Sequence, residues 1–591
     1  MKLYTYYRIL IASAATLWIT TACSDLLDLE NPNSLTSSTA FSTEADINSS
    51  LTGIYHSFYS SYYAMMSSNQ FSGQSDEMTS YSTADLQQYI KHVYSNMNQL
   101  WNSTTWNQLY EQIARCNQVI TYAENITEWN TYDKEQILAQ AKAIRAYDYY
   151  QLVMLYQIPP YVDYVATADD QPEAGDFDEI CQKIIDDAKY AYEILPASYK
   201  SSEGYNGCAE WTGQYRVTKW FAACVIAKTY MNWGDYLSGG YRYEEALPYY
   251  KDIVENGNFT LTSDYTDNFN IGSSYENNSE SIFEIQNEAS SYGWENYYGD
   301  TNNYTVPSQS MWRWKFYSAG PLGWSDYNSE AWILYAFKNE KAKNGQNGSE
   351  WDARIPATIF YSDIFTDFPN HVQWQTWTAT QGQASSSAEI STETPGFSYS
   401  DWVSTRVYIN KYTAQYENWV TVNSDNSEGT NNRIFRLGEI MLDYAECLAQ
   451  TGELQEAVKI INKVRNRAGL CDLGERQNYK VESIYLNSET GQTSDFNTEY
   501  GYAAFENNSG SYTLDDIMAV LDIETMKESA FECERLIDLR RWGISYNSSF
   551  LEKVKKRSYK YYANFTSVRA WLPMPTDDVN NNPNLSQLPG W

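Results

Sequence analysis

Apolar residues recur at helical spacing in both halves of the chain, and this periodicity most constrains the fold. The segment at 177–195 places its apolar residues along one helix face and stops at Pro196. Thr43, with Asp46 three positions on, has the spacing of a helix-capping pair. The pattern therefore predicts a predominantly α-helical protein. The helices predicted in this way span 43–58, 109–123, 137–156 and 177–195.

Two further segments resemble tetratricopeptide helix pairs. The first spans residues 227–254 around Gly234, and the second spans residues 444–468 around Gly452. Small residues allow two helices to pack closely, and the glycine allows the turn between them. Two such pairs in one chain predict a tetratricopeptide-like helical-repeat scaffold.

Long stretches without a helical period interrupt this scaffold. Residues 256–332 and 360–402 are rich in Ser, Asn, Gly, Tyr and Trp, and long loops on a rigid scaffold are where binding residues tend to lie. Alternating patterns at 281–285 and 406–409 predict short strands. The predicted fold class is therefore a helical-repeat scaffold with long, loop-rich insertions that contain short strands.

The N-terminus has the pattern of an export signal. Lys2 and Arg8 precede a short apolar run, and small residues then lead to Cys23. We predict a signal peptide over residues 1–22 and lipidation of Cys23; the alternative is an ordinary secretory signal that leaves Cys23 as a spare thiol. No later segment is apolar and long enough to cross a bilayer, so membrane attachment would be through lipid alone.

The remaining chain is interpreted as a single domain. Residues 23–40 form a polar tether after the lipidated cysteine. The domain spans 41–591, with the helical scaffold mainly at 41–255 and 430–591 and a loop-rich ligand lobe mainly at 256–430.

Composition excludes several classes of function. The formal net charge is −34, which repels phosphate backbones, so nucleic acid is not a predicted partner. Only three histidines are present, which leaves little for histidine catalysis or a histidine-rich metal site. The cysteines after Cys23 are odd in number and lack CxxC spacing, so neither a disulfide framework nor zinc ligation is predicted. Four of them, in helical-looking stretches, are expected to be buried apolar residues: Cys116, Cys224, Cys447 and Cys533.

Four segments, in order along the chain, resemble the SusD/RagB family of outer-membrane lipoproteins. Arg436–Glu446 resembles the family's hallmark helix, and Ile461–Leu470 resembles the segment that follows it. Glu534–Gly543 resembles the second signature of the family. Leu572–Pro575 and then Asn582–Trp591 resemble the third, although Leu588 stands where Asn is common and Trp591 where Tyr is usual. The matching order of these motifs makes the resemblance specific.

This resemblance implies a function in nutrient uptake and polysaccharide utilisation. A SusD-like protein would sit at the cell surface, anchored to the outer membrane by lipid, as the lid of a SusC-like TonB-dependent barrel. It would bind carbohydrate, capture oligosaccharides for the transporter and perform no chemistry. Acidic residues just after Cys23, at Asp25, Asp28 and Glu30, resemble signals that send such lipoproteins to the surface.

The signature residues themselves are interpreted as structural. We expect Asp538, Arg540 and Arg541 to join helices and the C-terminal tail through charge-assisted hydrogen bonds. None of them is predicted to contact ligand.

The 54 tyrosines and 20 tryptophans supply candidates for ligand contact. A flat ring covers the apolar face of a sugar while polar side chains bond its hydroxyl groups. The lobe carries several such rings, and the resemblance adds Tyr81 from the loop before the third helical stretch. The alternative is that these rings pack as the core of the lobe. The candidate ligand-binding residues are Tyr81, Trp294, Tyr298, Trp312, Arg313, Trp314 and Trp324, with Trp374 and Trp377 as a weaker pair.

Three other functions remain as alternatives. A RagB-type lid with the same fold would take peptides, which the acidity of the chain permits. A glycoside hydrolase would need two carboxylates across a scissile bond, and spacing alone identifies no pair. A purely structural repeat protein would need neither anchor nor aromatic loops. No cofactor is predicted; a structural calcium ion is left open, although no EF-hand spacing supports one.

Overall fold

The structure is a computed structural model of the 591-residue chain. It describes residues 40–60, 63, 71–80, 84–93, 100–270, 272–287, 326–361, 363–370, 407–412, 430–488, 490–506, 511–559 and 563–591.

Helices form most of the regular structure in the described parts of the chain, as the periodicity predicts. Over the described residues, no helix combines the length and the apolar character needed to span a membrane. The helices are α1 (Glu44–Ser57), α2 (Ala84–Ile90), α3 (Leu100–Ala123), α4 (Lys134–Tyr156), α5 (Phe177–Ile194), α6 (Lys219–Asn232), α7 (Tyr243–Asn256), α8 (Trp332–Phe337), α9 (Ile355–Thr358), α10 (Ile364–Asp367), α11 (Leu437–Gln450), α12 (Leu454–Arg467), α13 (Leu514–Ser529), α14 (Arg535–Arg541), α15 (Ser548–Arg557) and α16 (Thr576–Asn581).

Local sequence signals place several helix ends correctly. The Thr43 hydroxyl accepts a hydrogen bond from the Asp46 amide at 3.2 Å, and the Asp46 carboxylate accepts one from the Thr43 amide at 2.8 Å. This reciprocal pair begins α1 as predicted.

The predicted start of α3 at residue 109 is wrong, because its first turns are polar and lack an apolar period. They are instead tied by tertiary contacts such as the edge-to-face packing of Trp106 on Tyr156.

The helices pack in a continuous series that joins the two halves of the chain. Helix α1 packs on α3, and each helix from α3 to α7 packs on the next. Helix α7 then packs on α11, which pairs with α12, while α13 lies against both. The pairs α6–α7 and α11–α12 confirm the two predicted tetratricopeptide-like units. Because α7 and α11 are in direct contact, the described parts of the 257–436 insertion do not separate these two helices.

The two predicted turn glycines behave differently. Gly452, between α11 and α12, has φ +91°, a left-handed conformation that favours glycine, so that prediction is confirmed. The prediction for Gly234 is wrong, because the left-handed positions between α6 and α7 are Gly239 and Gly240. Gly234 is needed for space instead: a Cβ there would lie 2.4 Å from the ring of Tyr241.

Three small antiparallel sheets accompany the helices in the described part of the chain. β2 (Ser281–Ile285) and β5 (Val407–Ile409) confirm the two predicted strands, and β2 pairs with β6 (Asn432–Arg436) at the entrance to α11. The four-stranded sheet has the order β1–β3–β5–β4, with β1 at Met78–Thr79, β3 at Asn328–Ser329 and β4 at Ile359–Phe360. The expectation that strands lie in the insertions is incomplete, since β7 (Ile484–Leu486) and β8 (Thr493–Asp495) form a hairpin in the C-terminal part.

A buried ion network attaches the insertion to the helical stack. The Glu528 carboxylate on α13 contacts Arg436 of β6 at 2.5 Å, Arg354 beside α9 at 3.3 Å, and Arg467 of α12. Arg467 also pairs with Glu280, just before β2. All five side chains are buried. Burial opposes the charge of Glu528, but the three arginines outweigh it and hold its pKa well below the ordinary value.

The second signature segment has the predicted structural role. Arg541 donates from Nε to Glu446 at 2.8 Å and from Nη2 to Asp538 at 2.7 Å. Arg540 donates to the carbonyl oxygens of Met154 at 2.9 Å and Ala570 at 2.7 Å, which joins α4 to the C-terminal tail. The prediction that these residues tie helices and tail together is confirmed.

A second buried cluster holds more carboxylates than cations. Lys228 on α6 contacts Glu439, lies 3.0 Å from Asp443, both on α11, and lies 3.3 Å from Glu534. Burial, together with the neighbouring carboxylates, raises the pKa of Glu534 to about 8 and that of Glu439 to about 7, although Lys228 acts in the opposite direction. One lysine therefore does not balance the charge of three ionised carboxylates.

The cysteines after Cys23 are free thiols. Cys116, Cys224 and Cys447 are buried within helices, as predicted. Cys533 is the exception: it lies between α13 and α14 with φ +81° and is half-buried.

Replacement of the central carboxylate of the ion network should be strongly destabilising. Glu528→Gln leaves three buried guanidinium groups without part of their compensating charge, and we expect a loss of about 3–5 kcal/mol in the free energy of unfolding. Urea unfolding measures this loss. The matched control is Glu456→Gln, an exposed partner of Lys459, which should change stability by about 0.5 kcal/mol or less. Equal effects of the two substitutions would contradict the structural role of the network.

The Lys228 cluster predicts a pH dependence of stability. Because the folded protein holds the Glu534 proton more tightly than the unfolded chain, this contribution is complete below the ordinary pKa of 4.5 and is lost as pH rises through about 8. We expect the thermal midpoint to fall between about pH 6 and about pH 9. Glu534→Gln should flatten this fall, whereas Glu453→Gln on the surface should leave it unchanged. An identical slope in Glu534→Gln and wild type would refute the assignment.

Candidate ligand-binding groove

A groove of about 300 Å³ lies between α1, the loop before α6, and β2. Thr52 and Tyr55, three positions apart, reach it from one face of α1, and Tyr59 reaches it from the turn just after that helix. We call it the Tyr215 groove. Its lining residues are Thr52, Tyr55, Phe58, Tyr59, Gln214, Tyr215, Arg216, Phe283, Glu284, Ile285 and Gln286.

Tyr215 is the most open ring of the groove. Tyr215 is 50% exposed, whereas the other aromatic residues that line the groove are buried or half-buried. The side chain of Gln214 beside it is also exposed. The ring and the amide together offer a flat apolar face and a hydrogen-bonding group, the two features that a sugar ring requires.

Tyr55 on α1 and Tyr59 just after it are held in fixed positions. The Tyr59 hydroxyl donates to the Gln286 carbonyl oxygen at 2.6 Å. The Tyr55 hydroxyl donates to Gln140 at 2.8 Å and accepts from the Val217 amide at 3.1 Å. Burial raises the pKa of Tyr55 to about 12, so its hydroxyl keeps its proton and remains a donor at neutral pH. The wall of the groove is therefore preorganised.

Arg216 closes the inner end of the groove. Its guanidinium lies between two rings, 5.3 Å from the centroid of Tyr55 and 5.0 Å from that of Trp211. Hydrogen bonds to Gln140 at 3.1 Å and Gln214 at 2.8 Å fix its orientation. The same contacts fix Gln214 next to the exposed Tyr215 ring.

A network of amides holds the outer end of β2. The Gln286 side chain exchanges hydrogen bonds with Asn277 at 2.8 and 2.9 Å and accepts another from Asn431 at 3.1 Å. Asn287 donates to the Thr430 carbonyl oxygen at 2.9 Å. These bonds fix the place where the chain leaves β2 toward the segment at 288–325, which carries most of the candidate aromatic residues.

The candidates chosen from the sequence lie outside the described residues, so the structure neither brings them together nor separates them. These residues are Tyr81, Trp294, Tyr298, Trp312, Arg313, Trp314, Trp324, Trp374 and Trp377, together with the lipidation candidate Cys23. Part of the loop that carries Tyr81 is described, and residues 71–80 are buried throughout. Within it, Asp76 pairs with Arg535 at 2.8 Å and with Arg557 at 2.7 Å. This part of the loop is structural.

Sequence reasoning missed the Tyr215 groove. Tyr55 falls within the helix predicted at 43–58, and neither this position nor the loop at 214–216 carries a motif that marks a site. The groove depends on contacts among residues about 70 to 230 positions apart, and no local pattern records such contacts.

The described lining of the groove contains one carboxylate, that of Glu284. It is 2% exposed and pairs with Arg433 at 3.0 Å. Glycoside hydrolysis requires two carboxyl groups flanking the bond to be cleaved. The described lining residues therefore form a surface suited to binding.

Comparison with known proteins identifies the class. The amino-acid sequence matches two protein-family models. The model of the SusD family matches residues 279–591. A model described as starch-binding, associating with the outer membrane, matches residues 25–231. The first match covers more than half of the chain. The protein belongs to the SusD family.

Individual relatives agree over nearly the whole length. SusD-like protein P25 of Formosa agariphila is 23% identical, with 95% of each chain covered. A SusD superfamily protein from Bacteroides vulgatus has the same fold, with a TM-score of 0.65, 20% identity and coverage of 93% of this chain and 100% of that one. Surface glycan-binding protein A from Bacteroides thetaiotaomicron in complex with laminarihexaose gives a TM-score of 0.59 at 21% identity, covering 92% and 99%. The SusD-like fold predicted from the sequence is confirmed.

Proposed function

We propose that this protein captures oligosaccharides at the outer surface of the cell. The observation that carries the proposal is the half-exposed Tyr215 ring beside Gln214 in a preorganised groove of about 300 Å³. A ring of this kind covers the C–H face of a sugar while the neighbouring amide bonds its hydroxyl groups. Similarity to a glycan-binding protein solved with laminarihexaose supports a glycan as ligand.

The captured glycan would pass to a SusC-like TonB-dependent barrel, for which this protein would act as a lid. In this arrangement the helical stack faces the barrel, and the insertion, with the groove at its base, faces the ligand. Lipidation of Cys23 would tether the protein to the outer membrane. The outer-membrane association in the description of the matching family supports this location.

The proposal assigns no catalytic step to the protein. Two of the solved structures that it resembles are named as a surface glycan-binding protein and a laminarin binding SusD-like protein, and the only carboxylate in the described groove lining is already paired with Arg433. Capture and delivery then require reversible binding alone.

Removal of the exposed ring should weaken glycan binding. Stacking on an aromatic side chain contributes about 1 kcal/mol beyond burial of area, so Tyr215→Ala should raise the Kd roughly fivefold or more. Isothermal titration against panels of β-glucan, α-glucan and other oligosaccharides measures this change in Kd. Tyr164→Ala is the matched control, because Tyr164 is 42% exposed but does not line the groove. Equal affinity of Tyr215→Ala and wild type for every glycan that binds would remove the groove from the proposal.

A peptide panel in the same titration separates the two cargo classes. Binding of peptides with no response to any glycan would replace the glycan proposal with a RagB-type lid of the same fold. Steady release of reducing ends during the incubation would show a hydrolase instead.

The anchor has a separate test. Cys23→Ala should abolish incorporation of labelled fatty acid and release the protein from the outer membrane, because one modified residue would supply all the attachment. Cys208→Ala, a half-buried free thiol, should change neither readout. Wild-type protein should also co-purify with a TonB-dependent barrel from native outer membranes. Labelling of Cys23→Ala at the wild-type level would contradict the predicted anchor.

A further inference from the structure

A cavity of about 10 Å³ lies between α14, the turn after α6, and the C-terminal tail. This volume is close to the smallest that holds a single water-sized occupant, so a ligand with several heavy atoms does not fit. Arg540, Tyr236, Tyr241 and Trp571 are among its lining residues. Neither the fold nor the proposed glycan capture uses this cavity.

Arg540 brings a buried positive charge to the cavity without a compensating carboxylate. Arg540 is only 4% exposed, and no acidic group of the described chain pairs with it. Its neighbour Arg541, by contrast, pairs with Glu446 and Asp538. Burial lowers the pKa of Arg540 to about 9, so the guanidinium remains charged at neutral pH. A buried cation without a counter-ion is costly.

Two hydrogen-bond donors at the cavity have no acceptor among the described residues. They are Nε of Arg540 and the indole Nε1 of Trp571, and both atoms are buried. The Arg540 guanidinium lies 3.5 Å from the centroid of the Trp571 ring, so the two side chains that carry these donors are in contact where they line the cavity. Buried donors of this kind normally have a partner.

The carbonyl oxygens of Met154 and Ala570 accept from Arg540, and the Asn232 side-chain oxygen accepts from Arg541 at 2.7 Å. These bonds leave the charge of Arg540 without a counter-ion. A water molecule in the cavity would satisfy the two donors, but it would not compensate this charge. A monatomic anion needs donors only, and it also neutralises Arg540.

We propose that this cavity binds a single halide ion, chloride under ordinary conditions, held by Arg540 and Trp571. The ion would complete the contact between α14 and the tail, because Arg540 lies on the helix and Trp571 lies in the tail segment that follows Ala570. Chloride would then stabilise the folded protein by binding to it and not to the unfolded chain.

Crystals of the wild-type protein grown or soaked in bromide test the site directly. We expect an anomalous-scattering peak in the cavity, in contact with Arg540 Nε and Trp571 Nε1. An ordered water in its place, or an empty cavity, would overturn the proposal. A peak only on the surface would count as an adventitious ion and would equally overturn it.

Thermal unfolding in chloride supplies an independent solution readout. The midpoint should rise saturably as chloride replaces gluconate, an anion too large for the cavity, at constant ionic strength. Trp571→Phe keeps an aromatic ring but removes one donor, and it should shift the half-saturating chloride concentration upward severalfold. Trp129→Phe, which also loses one indole hydrogen bond but does not line the cavity, should retain the wild-type response. No saturable chloride dependence in the wild type would overturn the proposal.

Discussion

The contact between Glu528 and three arginines is the interaction on which the rest of the structure depends. Arg354 comes from the insertion, Arg436 from the strand before α11, and Arg467 from the end of α12. These residues are distant in sequence and are brought together around one buried carboxylate. Breaking any of these pairs leaves an uncompensated charge in the interior, so the insertion and the stack are held in one fixed relation.

The groove depends on that relation. Glu280 joins the network through Arg467 and immediately precedes the strand β2, whose far end forms one wall of the groove. The opposite wall is α1, which is fixed by its packing on α3. Tyr215 and Gln214 therefore lie between α1 and β2, and both of these elements are attached to the helical stack. Preorganisation of this kind reduces the entropy lost when a flexible ligand is ordered.

Charge compensation also separates the two adjacent arginines of the second signature. Arg541 has two carboxylate partners and ties helices together. Arg540 has backbone carbonyls and an aromatic face, but no carboxylate in the described structure. Arg541 is therefore compensated by carboxylates, whereas Arg540 is a buried cation without one. The proposed halide site follows from this difference.

The sequence by itself determined the family, the helical class, the capping pair at Thr43, the two tetratricopeptide-like units and the strands at 281–285 and 407–409. These features depend on residues close together in the chain, where periodicity and turn chemistry act directly. The sequence also marked Asp538, Arg540 and Arg541 as structural. Only the tertiary structure decided that Gly234 is needed for space beside Tyr241, that α3 begins at Leu100, and that Tyr55, Tyr215 and Gln286 share a groove. The physical reason is that these features depend on side-chain contacts made only when the chain packs. The groove and the start of α3 join residues far apart in the chain, and the contact of Gly234 with Tyr241 depends on how the turn between α6 and α7 folds, so no local pattern encodes the partner.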